Sequence, residues 1–430
     1  MLTPDYYRQR FVDEEIADLL KKFGAVCIQG PKWCGKTWSS LNQARSVTYL
    51  ADPANGFSNR NLAMLNPEYA LEGDSPHLID EWQEVPQVWD AVRFAVDKTP
   101  QKGRFLLTGS ATPSRKGVLH SGAGRIATIN MQTMSLYETG DSSGQVSFAS
   151  LFDGEIPTTK IEEKSVEELI ALCVRGGWPA GLGEDSQGSS ATAAQYLESV
   201  INDDVYRVSG TRHDVSKLRA LIHSLARNTA TTVSNRTLLA DMRQHEDVNI
   251  HEGTVAEYLN VLSQLFLTWD QPSFHPNLRS SRRVLRAPKR HFADPSLAVA
   301  ALGVSPQMLL RDLQTFGYVF ESLVEHDLNI YARASRGNLY HFRDEKGNEI
   351  DAVAQLPDGR WGAFEIKLGM NRVEEGAQNL KRIATLFARE MEKDSSQLPP
   401  SFLAVICGTG NVAYTRADGV MVVPLAALRN

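Results

Sequence analysis

Residues 25–29 read AVCIQ, five uncharged and mostly apolar positions, and run directly into 30–37, GPKWCGKT, after which Trp38 continues a stretch able to form a helix. The spacing G-x-x-x-x-G-K-[ST] between an apolar strand and a helix constrains this chain more than any other feature. It demands a buried strand, a tight loop and a helix whose first turn faces that loop. Gly30 and Gly35 allow backbone torsions that turn amide N–H groups toward an anion, and the helix N-terminus adds a favourable dipole. Residues Gly30, Pro31, Lys32, Trp33, Cys34, Gly35, Lys36, Thr37 and Trp38 are therefore the expected nucleotide-binding segment, with ATP and Mg²⁺ as cofactors. Lys36 would reach the β- and γ-phosphates, and the Thr37 hydroxyl would ligate Mg²⁺. A chance glycine-rich turn is the alternative, and the complete spacing with both flanks speaks against it.

Three further segments, 46–50, 77–80 and 104–108, read as buried strands separated by helix-length stretches. Alternation of this kind predicts an α/β fold, a P-loop NTPase parallel sheet with helices on both faces. The second strand signal of interest is LIDE at 78–81. Asp80, at a strand end, is placed to hold Mg²⁺ through water, and Glu81 to polarise the attacking water as general base. An acidic pair capping the next helix is the plainer reading; the preceding P-loop favours the catalytic one. Thr108, in Thr108-Gly109-Ser110, is expected to sense the γ-phosphate or position water, unless it is merely a turn residue. Arg125 in GAGRI is expected either to reach a phosphate, in cis or in a neighbouring subunit, or to remain a solvated charge.

With 430 residues the chain is long enough for two or three domains. Gly and Ser at 139–145 mark a break, giving expected domains at 1–145, 160–300 and 305–430. A net charge of −6 excludes a wholly basic nucleic-acid binder, so such a partner needs a local patch. The four cysteines are scattered, with no metal-ligand spacing, as in a reduced cytoplasmic compartment. Residues 1–15 lack an apolar signal core, and no run approaches the ~20 apolar residues of a membrane span.

Residues 165–300 read as mainly helical. A helix around 236–244 precedes one starting at Thr254, where Thr254 and Glu257 have capping-box spacing and Val255, Leu259, Leu262 and Phe266 share a face. The pair resembles the helix-turn-helix core of a winged-helix fold. The following RSSRRVLRAPKR holds Arg279, Arg282, Arg283, Arg286, Lys289 and Arg290 without an acid. It reads as a wing tracking a DNA backbone, or else as a solvated hairpin or an internal contact to an acidic domain. Further on, the turn at 357–359 sets Leu356 opposite Arg360, hence Asp351 opposite Glu365 and Glu349 opposite Lys367. Opposed acids at about 5 Å need compensation, by a divalent cation or by Lys367. An acid on one strand and E-x-K on the next resembles the PD-(D/E)xK nuclease core. Glu321 fits that core's helical acid and Gln378 its downstream glutamine, implying a second metal site at Glu321, Asp351 and Glu365 with Lys367. A hydrated strand face with a Glu349–Lys367 ion pair is the alternative.

Taken in order, GPKWCGKT, LIDE, LLTGS and GRI resemble the bacterial and archaeal AAA-type ATPases of the AAA+ superfamily, in particular those carrying a C-terminal domain of unknown function. Arg175-Gly-Gly-Trp-Pro179 and LRAPKRHFADPSLA near 290 match the same family. Lys32-Trp-Cys departs from its usual Arg, then a small or polar residue, then Val, leaving the phosphate-binding positions intact. The resemblance implies nucleotide binding by Lys36 and Thr37, with Asp80 and Glu81 serving metal and water. Three functions follow: an ATPase coupled to a C-terminal effector or nucleic-acid-binding domain, an ATP-regulated metal-dependent DNA nuclease, or a nucleotide switch for a protein partner. The superfamily's rings also raise a homo-oligomer; no membrane partner is expected.

Overall fold

The computed structural model describes residues 1–430 apart from 112–117, 155, 185, 211–212, 246–249, 278, 282, 284–285 and 392–397. Its N-terminal part is built on five parallel strands: β1 (Ala25–Gln29), β2 (Ser46–Tyr49), β3 (His77–Asp80), β4 (Phe105–Gly109) and β5 (Ile126–Asn130), in the order β2-β3-β4-β1-β5. Every residue of β1, β3 and β4 is buried, as continuous apolar runs in a parallel sheet require. Helices α1 (Phe11–Leu20), α2 (Lys36–Leu41), α3 (Ala54–Leu65) and α4 (Gln87–Lys98) accompany the sheet, and α5 (Leu136–Thr139) follows it. Strand alternation splits the core by face. Ala25, Cys27, Ile79 and Leu107 pack with Val88, Trp89 and Val92 of α4, whereas Val26, Ile28, Leu78 and Leu106 pack with Ile16 and Leu20 of α1. β5 escapes a sequence reading because it is an edge strand with two exposed positions among its five.

The segment after residue 145 does not act as a linker. Within it β6 (Val146–Ser147), α6 (Phe148–Leu151) and β7 (Thr159–Lys160) lead away from the first sheet. A helical stretch follows: α7 (Val166–Arg175), α8 (Ser186–Ser199), a π-helical turn at Val200–Asp204, α9 (Val205–Ser209) and α10 (Val215–Arg227). Then come β8 (Thr231–Thr232), α11 (Asn235–His245), α12 (Glu252–Gln264), β9 (Thr268–Gln271) and β10 (Lys289–Phe292), with an antiparallel sheet in the order β8-β10-β9. α12 starts before Thr254: extended His251 is its N-cap, so Thr254 lies in the first turn and the expected capping box does not form.

Helices α13 (Pro295–Leu302), α14 (Pro306–Arg311) and α15 (Leu313–Ala334) lead into the C-terminal body. Its strands are β11 (Asn338–Arg343), β12 (Glu349–Gln355), β13 (Trp361–Lys367), β14 (Phe402–Cys407), β15 (Val412–Thr415), β16 (Met421–Pro424) and β17 (Leu428–Arg429), with α16 (Val373–Met391) between β13 and β14. Seven strands run β11-β12-β13-β14-β16-β15-β7, so β7 closes one edge, while β6 pairs with β17. The hairpin turn behaves as its sequence demands: the Leu356 N–H donates to Arg360 O at 2.8 Å and Ala352 stands opposite Phe364.

The two stretches RGGWP and FADPS meet each other. Asp294 caps α13 by accepting from Ser296 N (2.9 Å), and its other oxygen accepts from Gly177 N (2.8 Å) and from Thr133 Oγ (2.6 Å) just past β5. Gly176 sits at φ 68°, and a Cβ there would lie 2.1 Å from the Asp294 carboxylate. Close approach thus requires glycine, and a buried carboxylate joins the nucleotide-domain strand to the helical part.

Candidate nucleotide site

The loop after β1 holds the shape its glycines permit. Gly30 has φ 156° and a Cβ on it would stand 2.3 Å from Met131 O; Gly35 has φ 103°. Arg10 holds the loop from behind: it donates to Cys34 O (2.9 Å) and to Gln132 O (3.0 Å), and pairs with buried Glu138 at 3.0 Å. Among the described residues, no carbonyl accepts from the amides of Gly35, Lys36 or Thr37, which open α2. Lys36 is buried over the loop, its ammonium 2.7 Å from Pro31 O. A narrow glycine loop, free helix-start amides and a lysine above them fit a nucleotide's phosphates.

The sheet order places the acids beneath this loop. β4 lies between β1 and β3, so Thr108 is adjacent to Asp80. Asp80 Oδ1 accepts from Thr37 Oγ at 2.8 Å and from Thr108 Oγ at 2.7 Å. Burial raises the Asp80 pKa, opposed by those two hydroxyl bonds. Thr37 and Asp80, one hydroxyl and one carboxylate in contact, are suitable oxygen donors for Mg²⁺. Thr108 is fully buried and also accepts from Glu81 N at 3.0 Å. Its hydroxyl therefore fixes Asp80 and the amide of Glu81. Glu81 stands in left-handed backbone at φ 57°, its carboxylate held by Ser110 Oγ (3.0 Å) and by Gln83 Nε2.

A cleft of about 1350 Å³ opens over the loop, walled on one side by Lys36, Thr37, Trp38 and Glu81 and on the other by the helical part. Lys32 pairs across it with Asp204 at 2.6 Å, and the rings of Trp33 and Tyr196 stand 5.9 Å apart. Two cations that sequence spacing did not single out line this cleft. Arg60 comes from α3 and Arg207 from α9, directly after the π-helical turn. Such turns recur at functional sites, but one cannot be read from composition.

Arg125 is not part of the site. Its carbonyl accepts from Ala25 N at the start of β1, the end of the sheet opposite the loop, and its guanidinium pairs with Asp97 at 2.7 Å. Parallel strands of five residues separate the two edges by roughly 15 Å. The expected contact in cis is therefore corrected.

The basic stretch 279–290 is likewise not a free wing. Arg282 lies outside the described residues, and among the described bases only Arg279 is exposed. Arg283 donates to His275 O (2.8 Å) and covers the Phe274 ring; Arg286 pairs with Glu345; Arg290 bonds Asn235 and pairs with Asp270. Lys289 is buried. Phe274 N donates to His341 O at 2.6 Å, binding the segment to the C-terminal sheet. α12 itself carries Glu252 and Glu257 and no base.

In the C-terminal body, Asp351, Glu365 and Lys367 come together. Lys367 Nζ lies 2.7 Å from Glu365 and 3.9 Å from Asp351, whose carboxylate also accepts from Ile366 N at 2.7 Å. Burial and the Asp351 charge push the Glu365 pKa up to about 8 against the pull of Lys367. Glu321 is bound to the ammonium of Lys289. Two details differ from expectation. Gln378 points to Glu374, and its neighbour Asn379 reaches Glu365 at 2.8 Å, because one helical residue turns a side chain by about 100°. Glu349 pairs with Arg343 at 3.8 Å rather than with Lys367. Among the described residues no three His, Cys, Asp or Glu side chains converge as a metal-binding group.

Comparison with known proteins bears on the domain that carries the first of these sites. A family model described as an AAA domain matches residues 22–140. Models described as Domain of unknown function (DUF8612) and Domain of unknown function (DUF4143) match 166–308 and 316–428. The parallel sheet, the loop and the AAA match together make the N-terminal part an ATPase-like AAA domain of the P-loop type. Among curated relatives are the uncharacterized proteins Mb2031c of Mycobacterium bovis and Rv2008c of Mycobacterium tuberculosis. Each is 25% identical over 352 residues, covering 81% of this chain and 71% of the relative. Distant structural likenesses include the Walker-type ATPase PABY2304 of Pyrococcus abyssi, at 12% identity and TM-score 0.42 over 70% of this chain and 99% of that one. Another is the Aeropyrum pernix ORC1 protein in complex with DNA, at 12% identity and TM-score 0.26 over 72% and 96%. No helix among the described residues is long and apolar enough to cross a membrane.

Proposed function

We propose that the N-terminal domain hydrolyses ATP and that the helical and C-terminal parts respond to its nucleotide state. One observation carries this reading: the hydroxyls of Thr37 and Thr108 converge on Asp80, and Thr108 anchors the amide of Glu81. The amides opening α2 and the Lys36 ammonium bind the phosphates. Thr37 and Asp80 hold Mg²⁺, which when bound neutralises charge on the β- and γ-phosphates. Glu81, on release from Ser110 and Gln83, orients and deprotonates the attacking water. Arg207, with no carboxylate partner among the described residues, adds positive charge to the cleft wall. Lys32–Asp204 and Trp33–Tyr196 make the helical part a wall of the cleft, so cleft geometry is communicated to it directly.

The decisive experiment is steady-state ATP turnover by the full chain and its Lys36→Ala and Glu81→Gln variants. Lys36→Ala abolishes nucleotide binding; Glu81→Gln retains binding and loses turnover. Unchanged turnover in Glu81→Gln removes the hydrolytic role of that residue.

The order helix, strand, helix, helix, strand, strand from α10 to β10 supports a winged-helix reading of the middle part. Arg283, Arg286, Lys289 and Arg290 are engaged internally, which favours a joint between domains over a DNA reader. A nuclease-like C-terminal core is supported by Asp351, Glu365 and Lys367 on adjacent strands with Asn379 behind them. Its use as a metal-dependent nuclease is disfavoured by the cation already lodged there.

A further inference from the structure

The C-terminal acids form a concentration of buried charge apart from the nucleotide site. Glu321 and Glu325 both stand on α15, one turn apart, and Glu325 is completely buried. The ammonium of Lys289, from the end of the basic stretch, enters between them. It bonds Glu321, lies 2.6 Å from Glu325 Oε1 and 3.2 Å from the carbonyl of Asp351. An ammonium has three N–H donors, and these three acceptors engage all of them. The other Glu325 oxygen has no hydrogen-bond partner and faces the neutral ring of His291 at 3.5 Å. Burial and the nearby Lys289 charge hold that imidazole well below its usual pKa, so it adds no second cation.

Mg²⁺ takes one or two carboxylates at about 2.0–2.1 Å and fills its other positions with water, so a cation in such a core needs carboxylate oxygens free of other partners. Here each acid is already committed. Glu321 is bonded to Lys289, Glu365 is paired with Lys367 at 2.7 Å, and Asp351 turns its carboxylate to the Ile366 amide. Introducing two positive charges beside a saturated ammonium is opposed by direct Coulomb repulsion in a site with little water. The residues therefore do not fit a metal.

We propose that Lys289 is a built-in replacement for the divalent cation: its single positive charge is shared by Glu321, the helical acid of the nuclease-like core, and by Glu325, it leaves that core metal-free, and it latches β10 to α15. Lys289 thus contributes to internal charge balance rather than to a nucleic-acid surface. This inference is independent of ATP hydrolysis, because it concerns metal binding without nucleotide.

Mn²⁺ binding to the nucleotide-free full chain, followed by the loss of the free-ion EPR signal, tests it. Any weak site at Thr37 and Asp80 is common to all variants and cancels. Wild type and Glu321→Gln are expected to give the same isotherm. Lys289→Met, which keeps the aliphatic volume and removes the charge, is expected to gain one site, tighter by about tenfold or more than any in wild type, and Lys289→Met/Glu321→Gln to lose it. Weaker Mn²⁺ binding in Glu321→Gln than in wild type overturns the proposal. So does a Lys289→Met variant that melts cooperatively yet gains no site. If Lys289→Met fails to fold, the wild type against Glu321→Gln comparison decides alone.

Discussion

Replacing Thr108 by Val tests the nucleotide site where its geometry is most specific. The two side chains have nearly the same shape, and Thr108 is fully buried, so the substitution removes little but a hydroxyl. That hydroxyl donates to Asp80 at 2.7 Å and accepts from the Glu81 amide at 3.0 Å. Loss of the bond to a carboxylate costs about 1.5–3 kcal/mol, and an unsatisfied buried N–H about 1–3 kcal/mol. The added methyl returns about 1 kcal/mol through burial. The net destabilisation is about 1.5–5 kcal/mol, visible as a lower urea midpoint with unchanged slope. Glu81 is more sensitive than the fold. It occupies left-handed backbone, φ 57°, which costs a non-glycine residue roughly 1–3 kcal/mol and is held by the bond to Thr108. Without that bond the residue relaxes and its carboxylate moves off the water's line of attack. If about 1.4–2.7 kcal/mol of this reaches the transition state, kcat falls by about 10- to 100-fold. Nucleotide affinity changes little, since loop and Lys36 are untouched. Thr108→Ser keeps the hydroxyl and retains activity to within about twofold. A folded Thr108→Val enzyme with wild-type kcat refutes the positioning role.

Other consequences are open to measurement. Arg125→Ala leaves ATP turnover of the isolated chain at low protein concentration unchanged, because Arg125 is at the far end of the sheet, whereas Arg207→Ala lowers turnover by roughly tenfold as a cleft cation is lost. Arg10→Ala removes the partner of buried Glu138 and leaves Cys34 O and Gln132 O without a donor; thermal unfolding should show a loss of about 3–5 kcal/mol, together with weaker nucleotide binding. The Glu365 carboxyl has a folded pKa of about 8 against an ordinary value of 4.5, so the folded state holds its proton more tightly. That stability is complete below pH 4.5 and is lost as pH rises toward 8, so the C-terminal body resists urea better at pH 6 than at pH 8.5. Glu365→Gln flattens the profile; an equally steep profile in that variant disproves the assignment.

Much of the nucleotide site was legible because its determinants are local. A glycine spacing, a lysine and a hydroxyl within eight consecutive residues, 30–37, follow an apolar strand, and no distant element is needed to read them. The β12–β13 register was equally local, being set by a Pro-Asp-Gly turn. Asn379 was missed for Gln378 because helix phase depends on where α16 docks, which the sequence around it does not specify.

From its sequence alone this chain determines a P-loop, the strand carrying it and the residues able to face a triphosphate. The tertiary structure alone decides which charges face solvent and which face each other. Arg125, Arg286, Lys289 and Arg290 look identical in sequence to free cations, yet Asp97, Glu345, the α15 acids and Asp270 take them up. Glu321, an acid suited to metal, instead receives an ammonium from Lys289, 32 residues away along the chain. Charge compensation acts through space over a few ångströms, and only the folded chain brings those partners within that range.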